Sequence, residues 1–324
     1  MTVYARGSEF QIVIIEETVW GTTPGTPSGY KMPVISVSEG WYTQNTLPNP
    51  ELRSNRNPSA PVDGDIIVKG SITMGMHLDA VGWLIKHGIG VPVTTGSGPY
   101  EHVSKLGYDG ASVGDLPAGL TIEHGYTSKD KYIPYEGCKI STLGFKAAGS
   151  EGIATVEVGI IGKTEAAISG TALDASPTEY TSTALANYHA TIKEGGTTLG
   201  SAAEVTFDLD NGLDDKTRTI GSAGQITDLP ESAAVVSGTL VAFFADEALY
   251  NKAKAGTESS LELTWTQGAN SLVLDVEELR YTPKSPAVSG PAGVKVTLAF
   301  TGYYQDGASA SAITSTLTND VVSY

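Results

Sequence analysis

The chain repeats itself. The segment Asp65–Gly88 has a counterpart at Ala233–Gly256, displaced by a constant 168 residues. Gly70 falls on Gly238, Gly88 on Gly256, Val68 on Val236, Ile72 on Leu240 and Asp79 on Glu247. Each copy is an apolar strand containing a glycine, then an acidic residue, then about three turns of amphipathic helix ended by glycine. Val81, Leu84 and Ile85 form the apolar face of the first helix, and Leu249, Tyr250 and Ala253 that of the second. The chain reads as two copies of one unit.

Weaker echoes flank the core of the repeat. Glu9–Glu17 pairs with Tyr188–Gly196, Val34–Gly40 with Val205–Gly212, and Gly152–Gly162 with Gly293–Gly302. The closing segments alternate with period two, as half-buried antiparallel strands do. The repeat divides the chain into a first unit over residues 1–165, a linker over 166–186 and a second unit over 187–324. The linker is small, polar and patternless, and reads as extended. Two further stretches lack periodicity, Trp41–Gly64 and Leu213–Glu231, and both lie just before the glycine-bearing strand. Loops of this length in a compact domain are functional or disordered, and one in each copy favours function.

Composition fixes the class. Only 17% of the residues are charged, 40% are hydrophobic and 38 are glycine, with Thr, Ser, Val and Ala abundant. That balance predicts an all-β fold of short strands and tight turns, and excludes a disordered tail, a coiled coil or a collagen-like rod. No window of eighteen consecutive apolar residues occurs, so no membrane insertion is expected. The formal charge is −16, and no cluster of Lys and Arg is present. Gripping DNA or RNA through phosphates requires such a cluster. With a lone cysteine, Cys138, no intramolecular disulfide can form, and the first ten residues lack the apolar core of a secretion signal. A chain made and folded in a reducing cytoplasm is the expectation.

Several motifs mislead. Gly110-Ala-Ser-Val-Gly matches a nucleophile elbow, but loop chemistry lies on both sides of Ser112 where a strand and a helix are needed. Asp208–Asp215 suggests a calcium loop, yet glycine falls fifth and Thr219 twelfth, where the EF-hand wants glycine sixth and glutamate twelfth. His77, His87, His102, His124 and His189 are scattered, with none at metal-ligand spacing from another or from Cys138. Cys138 reads as packed rather than reactive. No phosphate-binding glycine pattern is found. The expectation is therefore no catalytic residues, no cofactor and no metal.

Glu16-Glu-Thr-Val-Trp-Gly-Thr, the loop holding Arg53 and Arg56, and the strand Ile66-Ile-Val-Lys-Gly-Ser-Ile-Thr resemble the major tail tube proteins of long-tailed, non-contractile bacteriophages. The likeness covers most of the first unit and follows the second more loosely. It implies two tandem β-sandwich or barrel units, each with one short helix on its flank. It further implies six units to a ring, and rings stacked into a DNA-conducting tube. A duplicated chain then gives a homotrimer with pseudo-sixfold symmetry. The implied setting is the virion tail, assembled in the bacterial host's cytoplasm. Implied partners are other copies of itself, a tape measure protein, a tail tip or initiator, and a tail terminator. DNA passes through the lumen without specific binding.

Within that resemblance, unsatisfied sheet edges become connectors, and the two long loops become devices for reaching the next ring. Arg53 and Arg56 are expected to pair with Asp214 or Asp215 of an adjacent ring, with Arg218 in the same loop set. Asp208, Asp210 and Glu157 are the expected lumen acids, repelling a passing polyanion over a Debye length of about 8 Å. The two units differ in charge, net −5 over residues 1–165 and net −11 over 166–324, so either the lumen wall is unevenly charged or some of the second unit's acids sit on the outer surface. The competing reading is a two-domain binding module, a tail decoration or a carbohydrate-binding adhesin. It expects exposed Tyr and Trp gathered in one groove.

Overall fold

Strand alternation organises the chain, as shown by a computed structural model that describes residues 4–149, 151–286, 288, 290–291 and 293–324. Strands take 48% of the residues and helices 8%, so the protein is mainly β. The first half contains β1 (Phe10–Glu17), β2 (Gly29–Met32), β3 (Val34–Val37), β4 (Tyr42–Leu47), β5 (Val62–Gly75), α1 (Val81–Gly88), β6 (Val93–Thr95), β7 (Tyr100–Lys105), β8 (Tyr108–Asp109), β9 (Ser112–Val113), β10 (Gly119–Tyr126), β11 (Lys131–Ala148), β12 (Thr155–Gly162) and β13 (Thr164–Glu165). The second contains β14 (Ala190–Glu194), β15 (Thr197–Thr198), β16 (Ala202–Asp210), β17 (Val235–Phe243), α2 (Ala248–Ala255), β18 (Ser259–Gln267), β19 (Asn270–Tyr281), β20 (Lys295–Gly302) and β21 (Thr314–Asn319). Each helix has eight residues, nearer two turns than the three the sequence suggests.

The pairing orders of the halves run in parallel. In the first, β1 pairs with β10, β10 with β11, β11 with β12, β12 with β5, and β5 with β3 and β4, all antiparallel. In the second, β14 pairs with β18, β18 with β19, β19 with β20, β20 with β17, and β17 with β16. In both halves one long strand bends between layers. β11 pairs with β10 up to Cys138 and with β12 from Lys139, turning at Gly137, whose φ of 64° suits glycine. β19 passes from β18 to β20 at Leu279.

The halves share their sheets. β11 pairs with β16 from Thr142↔Asp210 to Ala148↔Glu204, which makes one long sheet ordered β5–β12–β11–β16–β17–β20. In the opposite layer the β6–β7 hairpin of the first half joins β21 of the second. A single rung of the long sheet shows how its two faces are divided. Met74, Val156, Phe145, Phe207, Gly238, Phe300 and Tyr281 lie opposite one another in succession and point into the core. Gly238 is small because the Phe207 and Phe300 rings meet over it, 5.4 Å apart. The adjacent rung, Thr73, Glu157, Gly144, Asp208, Ser237, Thr301 and Arg280, faces away from the core. The linker is anchored along its length: Ser169 bonds Tyr132, Thr178 bridges to Tyr30, and Leu185 is buried between Met76 and Ala154.

Candidate self-assembly surfaces

The solvent-facing side of the long sheet has one consistent chemistry. Ser71, Thr73, Thr142, Thr206, Ser237, Thr239, Thr297 and Thr301 carpet it with small hydroxyls at alternate strand positions. All three acids singled out from the sequence, Glu157, Asp208 and Asp210, lie on this face. Glu157 and Asp208 flank Gly144 from either side and line a shallow groove of about 210 Å³. Partial burial, reinforced by the charge of Glu157, raises the Asp208 carboxyl above its usual range. Glu204 shares the face, but so do Lys69, Lys146, Lys295 and Arg280, with Lys146 paired to Glu204 at 2.9 Å. The wall is therefore far closer to neutral than the chain as a whole. Acids of the second half such as Glu194, Glu262 and Asp275 lie in the opposite layer instead.

The two long loops behave differently. β4 and β5 form a hairpin arm, and β5 runs six residues beyond its last rung with β12, Val68↔Gly162. Residues 48–61 cap that arm and carry exposed Arg53 and Arg56, and Arg53 Nε donates to Ser59 Oγ at 2.9 Å. The loop 213–231 instead folds back on the first half of its own chain. Arg218 Nη2 donates to the Ile66 carbonyl at 2.9 Å, Nη1 to the Asp215 carbonyl at 3.0 Å and Nε to the Gly224 carbonyl at 3.2 Å. Asp215 is ion-paired with Lys69, which holds its carboxyl below the usual range. Ile226 and Leu229 are buried. Within one chain Arg53 and Arg56 do not meet Asp214 or Asp215; Asp215 and Arg218 are engaged at the arm's base.

The motif Glu16–Thr22 is structural. Buried Glu17 accepts hydrogen bonds from Gly21 N (2.6 Å), Thr121 Oγ1 (2.8 Å) and Gly137 N (2.9 Å). Trp20 Nε1 donates to the Gly137 carbonyl at 3.0 Å. These contacts fasten the β11 bend to β1. Glu16 reaches α1 through Lys86 (2.5 Å) and His87 (2.8 Å). Burial opposes its charge, but those two partners hold its carboxyl down at about 2.

The remaining sequence candidates fall in unremarkable places. Ser112 is exposed in the two-rung β8–β9 hairpin beside left-handed Gly110, not on a strand-to-helix elbow. Asp210 closes a turn by accepting from Gly212 N at 2.8 Å. Cys138 is fully buried, and desolvation raises its thiol well above the usual range. Among the described residues, no group of three or more His, Cys, Asp or Glu could hold a metal ion. Trp41, Trp83 and Trp265 are buried, and exposed tyrosines such as Tyr4, Tyr188 and Tyr304 come from separate segments, whereas the half-buried Tyr30 and Tyr180 line one pocket with buried Trp83. No helix among the described residues is long and apolar enough to cross a membrane.

Sequence reasoning missed the clasp of Arg218 on a backbone carbonyl 152 positions away, for which a side-chain pattern carries no signal. It also missed Lys69 as the partner of Asp215, although Lys69 lies within the strand quoted above.

No curated protein matches the chain. The profile of the family described as phage tail tube protein matches residues 7–302, from the segment before β1 to the end of β20. The chain belongs to the phage tail tube protein family.

Proposed function

We propose that this subunit carries two tube units, residues 1–165 and 187–324 joined by 166–186, and that three copies close into a pseudo-sixfold ring. Rings then stack into a hollow tube through which DNA leaves the virion. The observation that carries this is the β11–β16 seam, where two sheets of matching pairing order join side by side within one chain. The same sheet ends in two open edges. One is the outer edge of β3 and β4, which among the described residues pair only with β5. The other follows Tyr281, where β19 leaves β20. A head-to-tail contact between those edges repeats the internal seam and closes a ring when its rotation divides a full turn. Open edges of this kind favour a multimer over a monomer.

The hydroxyl face, with Glu157, Asp208 and Asp210, becomes the lumen wall. Small neutral groups and paired charges offer a polyanion no cluster to hold, so DNA slides. The subunit acts by assembly, without catalysis or cofactor. A tape measure, a tip initiator and a terminator are its expected partners in the virion tail, after assembly in the host cytoplasm. Buried tryptophans and exposed tyrosines drawn from separate segments argue against the carbohydrate-binding alternative.

Negative-stain electron microscopy of the concentrated protein, with analytical ultracentrifugation, tests the ring. Threefold or pseudo-sixfold rings or tubes, built from a species of three times the 33.7 kDa chain mass, are expected. Monomers at every concentration overturn the trimer.

A further inference from the structure

The long sheet has two ends, and they are not alike. At one end lie Gly162, Lys139, Asp210, Val235 and the arm; at the other lie Gly75, Thr155, Ala148, Phe243 and Lys295. The arm projects about 20 Å past its end, six residues at strand rise. Its base is braced by Gly224 and Arg218, but among the described residues its cap bonds only to itself, through Asn49, Glu51, Arg53 and Ser59. Leu52 is 100% exposed, and Arg53 and Arg56 have no carboxylate partner among the described residues. The loop holding Asp214 and Asp215 sits at the arm's own end. In a stack of rings facing one way, it cannot receive the arm of a neighbour. The acceptor has to be at the opposite end.

The opposite end differs between the halves. In the first half the linker lies over it. Leu185 bonds Met76 and Ala154, and the Asp79 carboxylate accepts from the amides and hydroxyls of Thr181 and Ser182. The positions 168 residues on are Phe244 and Glu247. There no linker lies over the surface among the described residues: Lys295 Nζ sits over the Phe243 ring, 5.1 Å from its centroid, yet Phe243 is still 48% and Phe244 40% exposed, and Asp246 and Glu247 are exposed with no cation paired to either among the described residues. The rim offers Phe244, the part of Phe243 that Lys295 leaves exposed, and two carboxylates, and the arm cap offers a leucine and two guanidinium groups.

We propose that the rim Phe243–Glu247 of one copy receives the arm cap of a second copy in the next ring. Leu52 lies on the phenylalanines, and Arg53 or Arg56 pairs with Glu247. The inference rests on the tube reading above and names its axial contact. It also accounts for a linker over the first rim alone, because each chain has one projecting arm to fill the second.

Charge exchange tests it. Arg53→Glu with Arg56→Glu, and separately Glu247→Arg, should each raise the protein concentration needed for tubes at least tenfold while rings persist. Combining all three substitutions should restore tubes toward the original concentration. Asp246 is left intact because it accepts from Ala248 N at the start of α2. Deleting Asn49–Pro58 should likewise give rings that do not elongate, with an unchanged circular dichroism spectrum. Tubes formed by Glu247→Arg at the original concentration, or a combination that rescues nothing, overturn the rim assignment. Absence of rings and tubes from the unaltered protein instead overturns the tube reading itself.

Discussion

Residues 41–64 and 213–231 occupy the same place in the two halves, just ahead of the paired parts of β5 and β17, yet one is a projecting hairpin and the other a packed strap. The strap has Ile226 and Leu229 to bury and Arg218 to clasp a backbone carbonyl, so it seals the contact between the halves. The hairpin buries Trp41 at its foot, but Leu47, Leu52 and Val62 beyond it are all exposed. The strap is spent inside the chain, while under the proposed stacking the hairpin is left for another copy.

The same contrast appears at the strand bends, where the largest effect is expected. In the first half Glu17 reaches across from β1 to hold the β11 bend. In the second, Glu278 on β19 itself accepts from Gln305 N (2.7 Å) and Asp306 N (3.2 Å), and Glu277 from Ser309 N (2.8 Å). Glu17→Ala leaves the Gly21 and Gly137 amides and the Thr121 hydroxyl without their buried acceptor. It should cost about 3–5 kcal/mol, read by chemical denaturation at neutral pH. A loss below about 1 kcal/mol means the bend is held by packing alone.

The repeat glycines sharpen the comparison further. A Cβ on Gly238 would lie 2.1 Å from the Thr206 carbonyl oxygen, a backbone atom, with the Phe300 ring behind it. A Cβ on Gly70 would lie 2.1 Å from Trp41 Nε1, a side chain held by the less regular residues before β4. Gly238→Ala should therefore cost about 2–3 kcal/mol, and Gly70→Ala about 1 kcal/mol less, on the scale of overpacked cores. Equal losses in thermal or chemical unfolding would show that Trp41 is as immobile as the backbone of β16.

Legibility followed the same physics. The alternation in Thr155–Gly162 and Lys295–Gly302, the glycines at 70 and 238, and both helices were readable, because each is a local pattern tied to one face of one element. Glu157, Asp208 and Asp210 could be grouped because strand parity puts them on one side. The bases sharing that face were not anticipated, since Lys146 and Arg280 come from the two bent strands whose second layer no local pattern reveals. The β7–β21 pairing joins residues more than 200 positions apart, as Leu317 opposite His102 shows. Nothing in the repeat announces it, because the second half has no β6–β7 hairpin.

The outer layers supply the smallest effect and a difference in pH response. In the first half buried Glu123 accepts from Leu173 N of the linker at 2.8 Å, while in the second Asp275 lies opposite Glu262 with no linker over it. Burial, with the charges of Glu262 and Glu277 added, pushes the Asp275 carboxyl up to about 6, and Lys193 only partly offsets this. A folded value above the unfolded one means the native state binds the extra proton between about pH 4 and 6. Stability contributed by this site therefore falls as pH rises through that window, and the penalty is complete above it. Asp275→Asn removes the penalty. After allowance for solvent screening of a half-exposed group, the variant should gain about 1 kcal/mol at pH 7–8 and nothing below pH 4. Glu262→Gln, which leaves Asp275 in place but removes the facing charge, should give a smaller gain over the same range. A gain for Asp275→Asn that persisted undiminished at pH 3.5 would trace the effect to strand packing, and the two outer layers would then differ in shape rather than in charge.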